Sequence, residues 1–496
     1  MTVPFSLDAH PSSSLTSTVD TICAPATAPG GALGIIRVSG PDAFPIVSAL
    51  CPVVGEASKR RKPSVHYTHL VAPAATPDGS NEVIDDVIVT IFHAPHSYTG
   101  EDSVEISCHG SHYILQRVLD LLCQQGCRMA RPGEFTMRAY LNGKMDLSQA
   151  EAVADLIASS NKATHDIAMS QLRGHFSSEL SRLREQLLKL TSLLELELDF
   201  SDHEDLEFAD RTELLSLAQE IDSRVTHLAR SFETGQTLKQ GIPVAIVGKT
   251  NVGKSTLLNQ LVGDDRAIVS DIHGTTRDTI EDTIDIRGVT FRFIDTAGIR
   301  QTSDEVEQIG ISRTYAAINK ARIVLWLIDK VPTQEEITDI ISRTVGTGPL
   351  PNRLSDSVPA HSSNLVPARS LIPVWNKADI TPPCPVCCDL IAAPIPISAK
   401  TGQSLDTLKA AIFAAADIPS ITSSDVIVTS ARHYDALLRA HSHLQRVTSG
   451  IKAQLSGDLL SEDLRQALDT LSEITGGQIT PQETLNNIFS HFCVGK

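Results

Sequence analysis

Eight residues near the middle of the chain have the types and spacing that bind nucleotide phosphates. Gly248–Ser255 reads GKTNVGKS, which matches the pattern G-x-x-x-x-G-K-[ST]. The run IPVAIVG before it predicts a buried strand, and the residues after it predict a helix whose N-terminal N–H groups attract anions. In this arrangement Lys254 reaches the β- and γ-phosphates and Ser255 ligates Mg²⁺. The sequence therefore predicts a nucleotide site here.

Three further motifs follow in the order that a GTPase requires. DTAG, Asp295–Gly298, comes after a predicted strand; its Asp acts near the metal through water and its Gly N–H senses the γ-phosphate. NKAD ends in Asp379, whose carboxylate can accept two hydrogen bonds from guanine N1–H and N2–H₂, a pair that adenine lacks. SAK, Ser398–Lys400, fits the last loop that contacts guanine. Together the motifs predict hydrolysis of GTP.

The segments expected to switch with the nucleotide raise a chemical question. DIHGTTRD, Asp271–Asp278, lies where switch I belongs, and Thr276 is predicted as the second Mg²⁺ ligand. After DTAG, Ras-like GTPases carry a Gln that orients the attacking water, but this chain has Ile299, which cannot form the hydrogen bond. The acids Asp304, Glu305 and Glu307 follow, and residue type alone does not distinguish among them.

Composition limits the class of protein. A chain of 496 residues is too long for one core, so about two to four domains are expected. No apolar run approaches the roughly 18 residues that span a bilayer, and residues 1–20 hold no Lys or Arg, so no signal or transit peptide is predicted. Nine scattered Cys indicate reduced thiols and a cytoplasmic protein, and the lack of a long apolar run predicts no membrane partner. CPVCC (Cys384, Cys387, Cys388) lacks a second ligand pair, which favours a surface loop over a metal site.

The net charge of −17 argues against nucleic-acid binding over the whole surface, so any such role is local or shared with a partner. One basic cluster stands out, KRRK at Lys59–Lys62. We interpret it as a solvated loop in preference to a binding patch.

The pattern along the chain predicts how these residues are positioned. Residues 1–143 alternate strand and helix patterns, which indicates an α+β domain, whereas 144–240 is helical with apolar stripes that indicate a bundle. Residues 241–415 alternate buried strands with helices, as in a doubly wound, mostly parallel sheet, and 343–370 is a Pro- and Ser-rich insertion. Residues 416–496 are helical again. The order predicts one helical domain split by an inserted P-loop GTPase domain.

Four longer motifs make a family resemblance specific. GTTRD, DTAGIR…SDEVEQIGI, RPGEFTMRAYLNGKMDLSQAEAVADLI and the terminal FCVGK together resemble the MnmE (TrmE) family of tRNA-modifying GTPases. The resemblance runs from about residue 19 to the end and leaves out only the N-terminal lead-in and the 343–370 insertion. It implies a folate-binding-like N-terminal domain, a split helical domain and a Ras-like GTPase domain.

The resemblance also implies an answer to the switch question. In the family a K⁺ ion supplies the positive charge that an arginine supplies elsewhere, bound by residues that align with Asn251, Ser270, Ile272 and Thr275. A Glu that aligns with Glu307 orients the water, so the implied catalytic set is Lys254, Thr276 and Glu307, with Cys493 as a candidate thiol. The residues predicted to contact GTP are Asn251, Val252, Gly253, Lys254, Ser255, Thr256, Ser270, Thr275, Thr276, Asp295, Thr296, Ala297, Gly298, Asn376, Lys377, Asp379, Ser398, Ala399 and Lys400.

The N-terminal domain of the family takes a 5-formyltetrahydrofolate-type folate. The contacts that the resemblance carries over are Arg37, Glu105, Lys144 and the C-terminal Lys496. By residue type alone, the last residues Cys493–Lys496 could equally be a frayed end. Two departures near the implied pocket are APGGALG, which lacks an Arg common in the family, and Ser111 in CHGS.

The implied partners are a second copy of the chain, tRNA, and the FAD-dependent MnmG (GidA) protein in a heterotetramer. The implied reaction adds a carboxymethylaminomethyl-type group at carbon 5 of the wobble uridine. The rivals are a ribosome-assembly GTPase of the Era or EngA type, for which no RNA-binding module such as KH is found, and a folate-binding interaction protein with a vestigial GTPase. Intact Lys254, Thr276, Asp295 and Glu307 argue against the second rival.

Overall fold

The computed structural model describes residues 20–73, 82–199, 211–264, 282–294, 317–344, 369–382, 393–418, 425–477, 482–490 and 492–495. The chain divides into two compact units, hereafter unit 1 (1–151 with 475–496) and unit 2 (152–474).

Unit 1 contains a six-stranded sheet in the order β3-β4-β5-β2-β1-β6. Its strands are β1 Ile22–Pro25, β2 Leu33–Ser39, β3 Ser64–Ala72, β4 Glu82–Phe92, β5 Ser103–His109 and β6 Arg128–Met129. Neighbouring strands are antiparallel except for β1 and β6, which are parallel. Such a sheet needs only one covered face.

The covered face of this sheet is apolar. Ile36 and Val38 of β2 pack with Val104 and Ile106 of β5 and with three helices in one core. Because side chains alternate along a strand, the residues between them face the opposite side. The helices of unit 1 are α1 Ala43–Leu50, α2 Val53–Ala57, α3 His112–Gln124, α4 Glu134–Leu141, the first residues of α5 Leu147–Ala158, and α14 Gln482–Ser490.

Unit 2 contains the second six-stranded sheet, in the order β12-β11-β10-β7-β9-β8. Its strands are β7 Ile242–Val247, β8 Asp282–Ile286, β9 Val289–Phe293, β10 Ile323–Ile328, β11 Ser370–Trp375 and β12 Ile395–Pro396. All pairings are parallel except that of β8 with β9. Alternate residues of β7 enter two different apolar clusters, so this sheet is buried on both faces, as parallel sheets are. The helices that follow its strands include α9 Lys254–Asp264, α10 Gln334–Thr344 and α11 Leu405–Ala415.

Four of the remaining helices of unit 2 share a core of their own. They are α7 His175–Asp199, α8 Arg211–Gln240, α12 Ala431–Lys452 and α13 Gly457–Thr475. The helix α6 Lys162–Leu172 instead places Ile167 in the core of the sheet. Leucines of α7 and α8 pack against leucines of α12 and α13, although the α/β sheet lies between them in the sequence. None of the described helices is long and apolar enough to cross a membrane.

The α+β sheet, the mostly parallel sheet and the helices on either side of it agree with the sequence analysis. The boundaries predicted at 143, 240 and 415 stay predictions. Residues 475–496 group with unit 1 by their contacts, because Phe489 and Phe492 are buried at the start of α4.

Candidate functional site

The phosphate-binding loop connects β7 to α9 and closes through two glycines. Gly248 has φ +154° and Gly253 has φ +103°, both in the region that favours glycine. A Cβ on Gly248 would lie 2.5 Å from the Leu327 carbonyl oxygen, and one on Gly253 would lie 2.3 Å from Nδ2 of Asn376. The loop therefore packs against the ends of the neighbouring strands with no room for larger residues.

Lys254, the first residue of α9, turns its ammonium back over this loop. Its Nζ donates to the carbonyl oxygens of Gly248 at 2.6 Å and Lys249 at 2.8 Å. Burial lowers the pKa of Lys254. The contacts hold the cation at the loop, beside the helix N-terminus that attracts phosphate.

Asn376 joins three of the predicted motifs. Its side chain is buried; Nδ2 donates to the Val252 carbonyl oxygen at 2.7 Å, and Oδ1 accepts from the Ala399 N–H at 3.0 Å. The first bond reaches the phosphate loop and the second reaches the SAK segment. Asn376 thus fixes the position of the predicted guanine-binding loops relative to the predicted phosphate site.

Lys377 makes a second connection to the same loop. Its Nζ donates to the Asn251 carbonyl oxygen at 3.0 Å and pairs with Asp329 Oδ2 at 2.7 Å. Sequence analysis missed Asp329, which directly follows β10. Its place at the carboxyl end of a buried parallel strand, where α/β sheets bind ligands, was the available signal.

The other predicted nucleotide contacts are distributed around this centre. Ser255 and Thr256 stand in the first turn of α9, Ser398 is buried, and Asp379 and Lys400 are exposed in the turns after β11 and β12. The residues Ser270, Ile272, Thr275, Thr276, Asp295, Thr296, Ala297, Gly298, Glu307 and Lys496 lie outside the described residues, as does the CPVCC segment. Within the described ranges, no group of three or more His, Cys, Asp or Glu has metal-binding geometry.

The predicted folate contacts in unit 1 include a cross-strand ion pair. Arg37 of β2 lies directly opposite Glu105 of β5, on the face away from the apolar core. Both Nε (2.9 Å) and an Nη (2.8 Å) of Arg37 donate to the same Glu105 oxygen. The guanidinium also lies 5.2 Å from the ring centre of Tyr98 and 5.6 Å from that of Phe135.

The C-terminal residues 492–495 are seated in the same unit. Arg37 Nη1 donates to the Gly495 carbonyl oxygen at 3.5 Å, and the Gly133 N–H donates to the Cys493 carbonyl oxygen at 3.3 Å. Gly495 has φ +91°, and a Cβ there would lie 2.1 Å from the Pro25 carbonyl oxygen. The described end of the chain is therefore packed and not frayed.

Two other predicted contacts stand apart from this pair. Lys144 is exposed and its Nζ donates to the Pro95 carbonyl oxygen at 2.9 Å. Among the described residues, no hydrogen bond or ion pair joins Lys144 to Arg37 or Glu105. The side chain of Cys493 is exposed.

A buried ion network, which sequence analysis missed, supports α4 and with it Phe135. Arg138 has no exposed side-chain surface and pairs with Asp20 (2.8 Å), Glu101 (3.2 Å) and Glu134 (3.2 Å). Glu134 also pairs with Arg128 at 2.6 Å. Burial alone would raise the pKa of Glu134, but the hydrogen bonds and charges of its partners outweigh it and hold the pKa below its usual value.

Comparison with known proteins covers nearly the whole chain. The family model described as "MnmE helical domain" matches residues 147–493, and that described as "GTP-binding protein TrmE N-terminus" matches 21–144. A protein of Phocaeicola vulgatus named "tRNA modification GTPase MnmE" is 49% identical over 512 residues, covering 96% of this chain and 99% of its own. A Bacteroides fragilis protein of the same name is 51% identical over 488 residues, with the same coverage.

Solved structures match less of the chain. The GDP·AlF₄⁻ complex of Aquifex aeolicus Era is 25% identical, with a TM-score of 0.24, and covers 40% of this chain and 66% of its own. At that score the match adds nothing to the assignment.

Proposed function

The chain belongs to the MnmE family of tRNA modification GTPases, and from this premise we propose that it couples GTP hydrolysis to modification of tRNA. The proposed reaction places a carboxymethylaminomethyl-type group at carbon 5 of the wobble uridine. It takes place jointly with an FAD-dependent MnmG-type partner. The proposed assembly is a homodimer of this chain that joins the partner in a heterotetramer, in the cytoplasm.

The observation that carries the GTPase half of this proposal is the buried Asn376. Its amide bonds both the phosphate loop, through the Val252 carbonyl, and the SAK segment, through the Ala399 N–H. A nucleotide that contacts both loops would likewise hold the phosphate loop and the SAK segment at a fixed distance from each other. Asp379, three residues on, would then accept from the guanine edge, and Lys254 would meet the β- and γ-phosphates.

The residues present suit the two cations. Ser255 offers a hydroxyl oxygen, the hard ligand that Mg²⁺ prefers, and would share the ion with Thr276. Asn251 is exposed and its backbone carbonyl already accepts from Lys377, which leaves its side-chain oxygen for K⁺ beside Ser270, Ile272 and Thr275. When bound, the cations supply positive charge against the phosphate oxygens. Glu307 would orient the attacking water.

The site in unit 1 suits a folate in its donor set. Glu105 is a carboxylate that matches an amino-pyrimidine edge, and Arg37 is a cation that suits carboxylate or formyl oxygens. The rings of Tyr98 and Phe135 add apolar surface for a pterin. Lys144 and Lys496 would complete the contacts. The bound folate would supply a one-carbon unit, and the role of Cys493 as a thiol catalyst belongs to this part of the proposal.

The GTPase mechanism is tested by the hydrolysis rate in K⁺ and in Na⁺ at equal ionic strength. We expect K⁺ to accelerate hydrolysis by about tenfold or more, since a bound cation replaces an arginine finger. Glu307→Ala should remove most of the rate while GTP binding persists, and Glu305→Ala is the matched control two residues away. A rate that ignores the cation would overturn the potassium site.

The tRNA half is tested separately, in cells that lack the chain. Loss of the wobble-uridine modification with a normal ribosome profile supports the proposal. Normal modification with defective ribosome subunits would instead favour an assembly GTPase.

A further inference from the structure

Four consecutive cations occupy the turn between α2 and β3 of unit 1. Residues 58–60 form a single 3₁₀ turn, and Lys59, Arg60, Arg61 and Lys62 are all exposed. The whole chain has a net charge of −17, so this surface opposes the sign of the protein that carries it. A cluster of positive charge attracts anions locally even on a protein whose net charge is negative.

Three of these charges form no ion pair among the described residues, although Arg60 attracts Glu56 at longer range. Lys59 pairs with Glu56 at 2.6 Å, but among the residues that the structure describes no carboxylate lies within ion-pair distance of Arg60, Arg61 or Lys62. In the same unit, Arg128 and Arg138 pair with several acids each. The three cations form a surface that we name the basic turn, Arg60–Lys62.

The backbone of the basic turn is strained at Arg61. Arg61 ends the 3₁₀ turn with φ 48° and ψ 33°, the left-handed conformation. For a residue with a Cβ this conformation costs about 1–2 kcal/mol, whereas glycine adopts it freely. Replacing Arg61 with glycine therefore removes a charge without loss of stability.

We propose that the basic turn is a contact surface for the phosphate backbone of tRNA. The choice of tRNA as the ligand rests on the proposed function, because tRNA is the polyanion that this function brings to the chain. Two guanidinium groups and an ammonium suit phosphate oxygens, and they carry no information about base sequence. The basic turn therefore holds and orients tRNA without selecting it.

The test is the affinity of the full-length protein for unmodified tRNA between 50 and 200 mM KCl, by filter binding. Each phosphate contact contributes about 0.7–0.9 to the slope of log K against log salt concentration. The triple variant Arg60→Ala/Arg61→Gly/Lys62→Ala should reduce that slope by about 2 and weaken binding about tenfold or more at 100 mM. Lys189→Ala, an exposed cation on α7 of unit 2, should change neither.

A single variant separates binding from folding. Arg61→Gly should weaken tRNA binding about two- to fourfold while hydrogen exchange of unit 1 is equal or slower, because the strain is relieved. The proposal would be overturned if the wild-type chain and the triple variant gave equal slopes and affinities for tRNA. It would also be overturned if hydrogen exchange of unit 1 became faster in Arg61→Gly in proportion to the affinity that is lost. Basal GTP hydrolysis is measured in parallel and should be unchanged. If the wild-type chain lacked GTPase activity or wobble modification, the proposed function would be wrong. If the chain bound tRNA independently of the basic turn, only this inference would be wrong.

Discussion

The phosphate loop lies in unit 2, and the C-terminal seat is the part of unit 1 against which residues 492–495 pack. The two regions share one structural feature but are stabilised by different interactions. In each, glycines with positive φ let two segments approach more closely than a Cβ would allow. Around the phosphate loop, the amide of Asn376 and the ammonium groups of Lys254 and Lys377 donate to backbone carbonyls. Around the C-terminal seat, the elements that residues 492–495 contact are held by ion pairs, from Arg37–Glu105 to the network of Arg138.

The two regions differ in how strongly each depends on residues that are distant in the sequence. Lys254 closes the phosphate loop from six residues away, and strand ends that any parallel sheet aligns bring Asn376 to it across a separation of 124 residues. The C-terminal seat joins Arg37 to Gly495 across a sequence separation of 458 residues. Replacing residues in the two places should therefore give separable effects, which the following changes test in order of size.

Asn376→Ala should give the largest effect. It removes the partner of the Val252 carbonyl and of the Ala399 N–H, and buried groups left without a hydrogen bond cost about 1–3 kcal/mol each. We expect affinity for a fluorescent GDP analogue to fall about a hundredfold or more. The fluorescence of Trp326 and Trp375, both of which lie in unit 2, reports the accompanying loss of stability in urea.

The control for this change is Asn259→Ala, since Asn259 is exposed on α9 of the same unit. Hydrogen exchange of unit 1 should be unchanged in both variants. Nucleotide affinity that survives Asn376→Ala would show that the amide does not organise the loops.

Gly133→Ala tests the seat of the C-terminal residues, and Gly143→Ala is its matched control. Both glycines have φ +67°, so both substitutions carry the left-handed strain of about 1 kcal/mol. A Cβ on Gly133 would also lie 2.7 Å from the Phe489 carbonyl oxygen, whereas one on Gly143 meets nothing within 4 Å. We expect Gly133→Ala to cost about 2–3 kcal/mol and Gly143→Ala only the strain.

The measurement is hydrogen exchange by mass spectrometry across 482–495 and 128–141, because neither Trp reports on unit 1. Faster exchange in both segments for Gly133→Ala alone is expected. Equal exchange in the two variants would mean that the C-terminal residues contribute nothing to the stability of α4.

The same contrast explains what the sequence could predict. Local sequence encodes β7, β11 and the phosphate site: the run IPVAIVG precedes a glycine-rich loop, and buried runs precede NKAD and SAK. The fold class and the phosphate loop were therefore predictable. Arg37 and Glu105 entered only through the family resemblance, because nothing within a few residues of either marks a site. Asp329 and the Arg138 network were missed since most of their partners are distant in sequence, and charge type alone does not pair them.

Acid should weaken unit 1 through Glu134. The pKa of Glu134 is held below its ordinary value of 4.5, so its contribution to stability is complete above that value and is lost as pH falls through the lowered pKa. Glu134→Gln keeps the shape of the side chain but removes the charge. The difference between wild type and variant should be complete at pH 7 and should shrink as the pH falls through the lowered pKa of Glu134.

Exchange rates of residues 128–141 at a series of pH values, corrected for intrinsic exchange, give this difference. The Trp fluorescence of unit 2 serves as the internal control and should not distinguish the two proteins. A difference that is constant with pH would assign the effect of Glu134 to packing and not to charge.

The smallest effect is expected at an ion pair beside the phosphate loop. Lys249 Nζ lies 2.5 Å from Glu336 Oε1, but the two side chains are 73% and 34% exposed, so water screens the attraction. Glu336→Gln preserves the reciprocal bonds between Glu336 and Thr333 that begin α10 and removes only the charge. We expect GDP affinity to change less than about twofold and stability by less than about 0.5 kcal/mol. A tenfold loss of affinity, measured by the same GDP titration, would contradict the view that backbone carbonyls and Asn376 hold this loop, and would make charge as important in unit 2 as in unit 1.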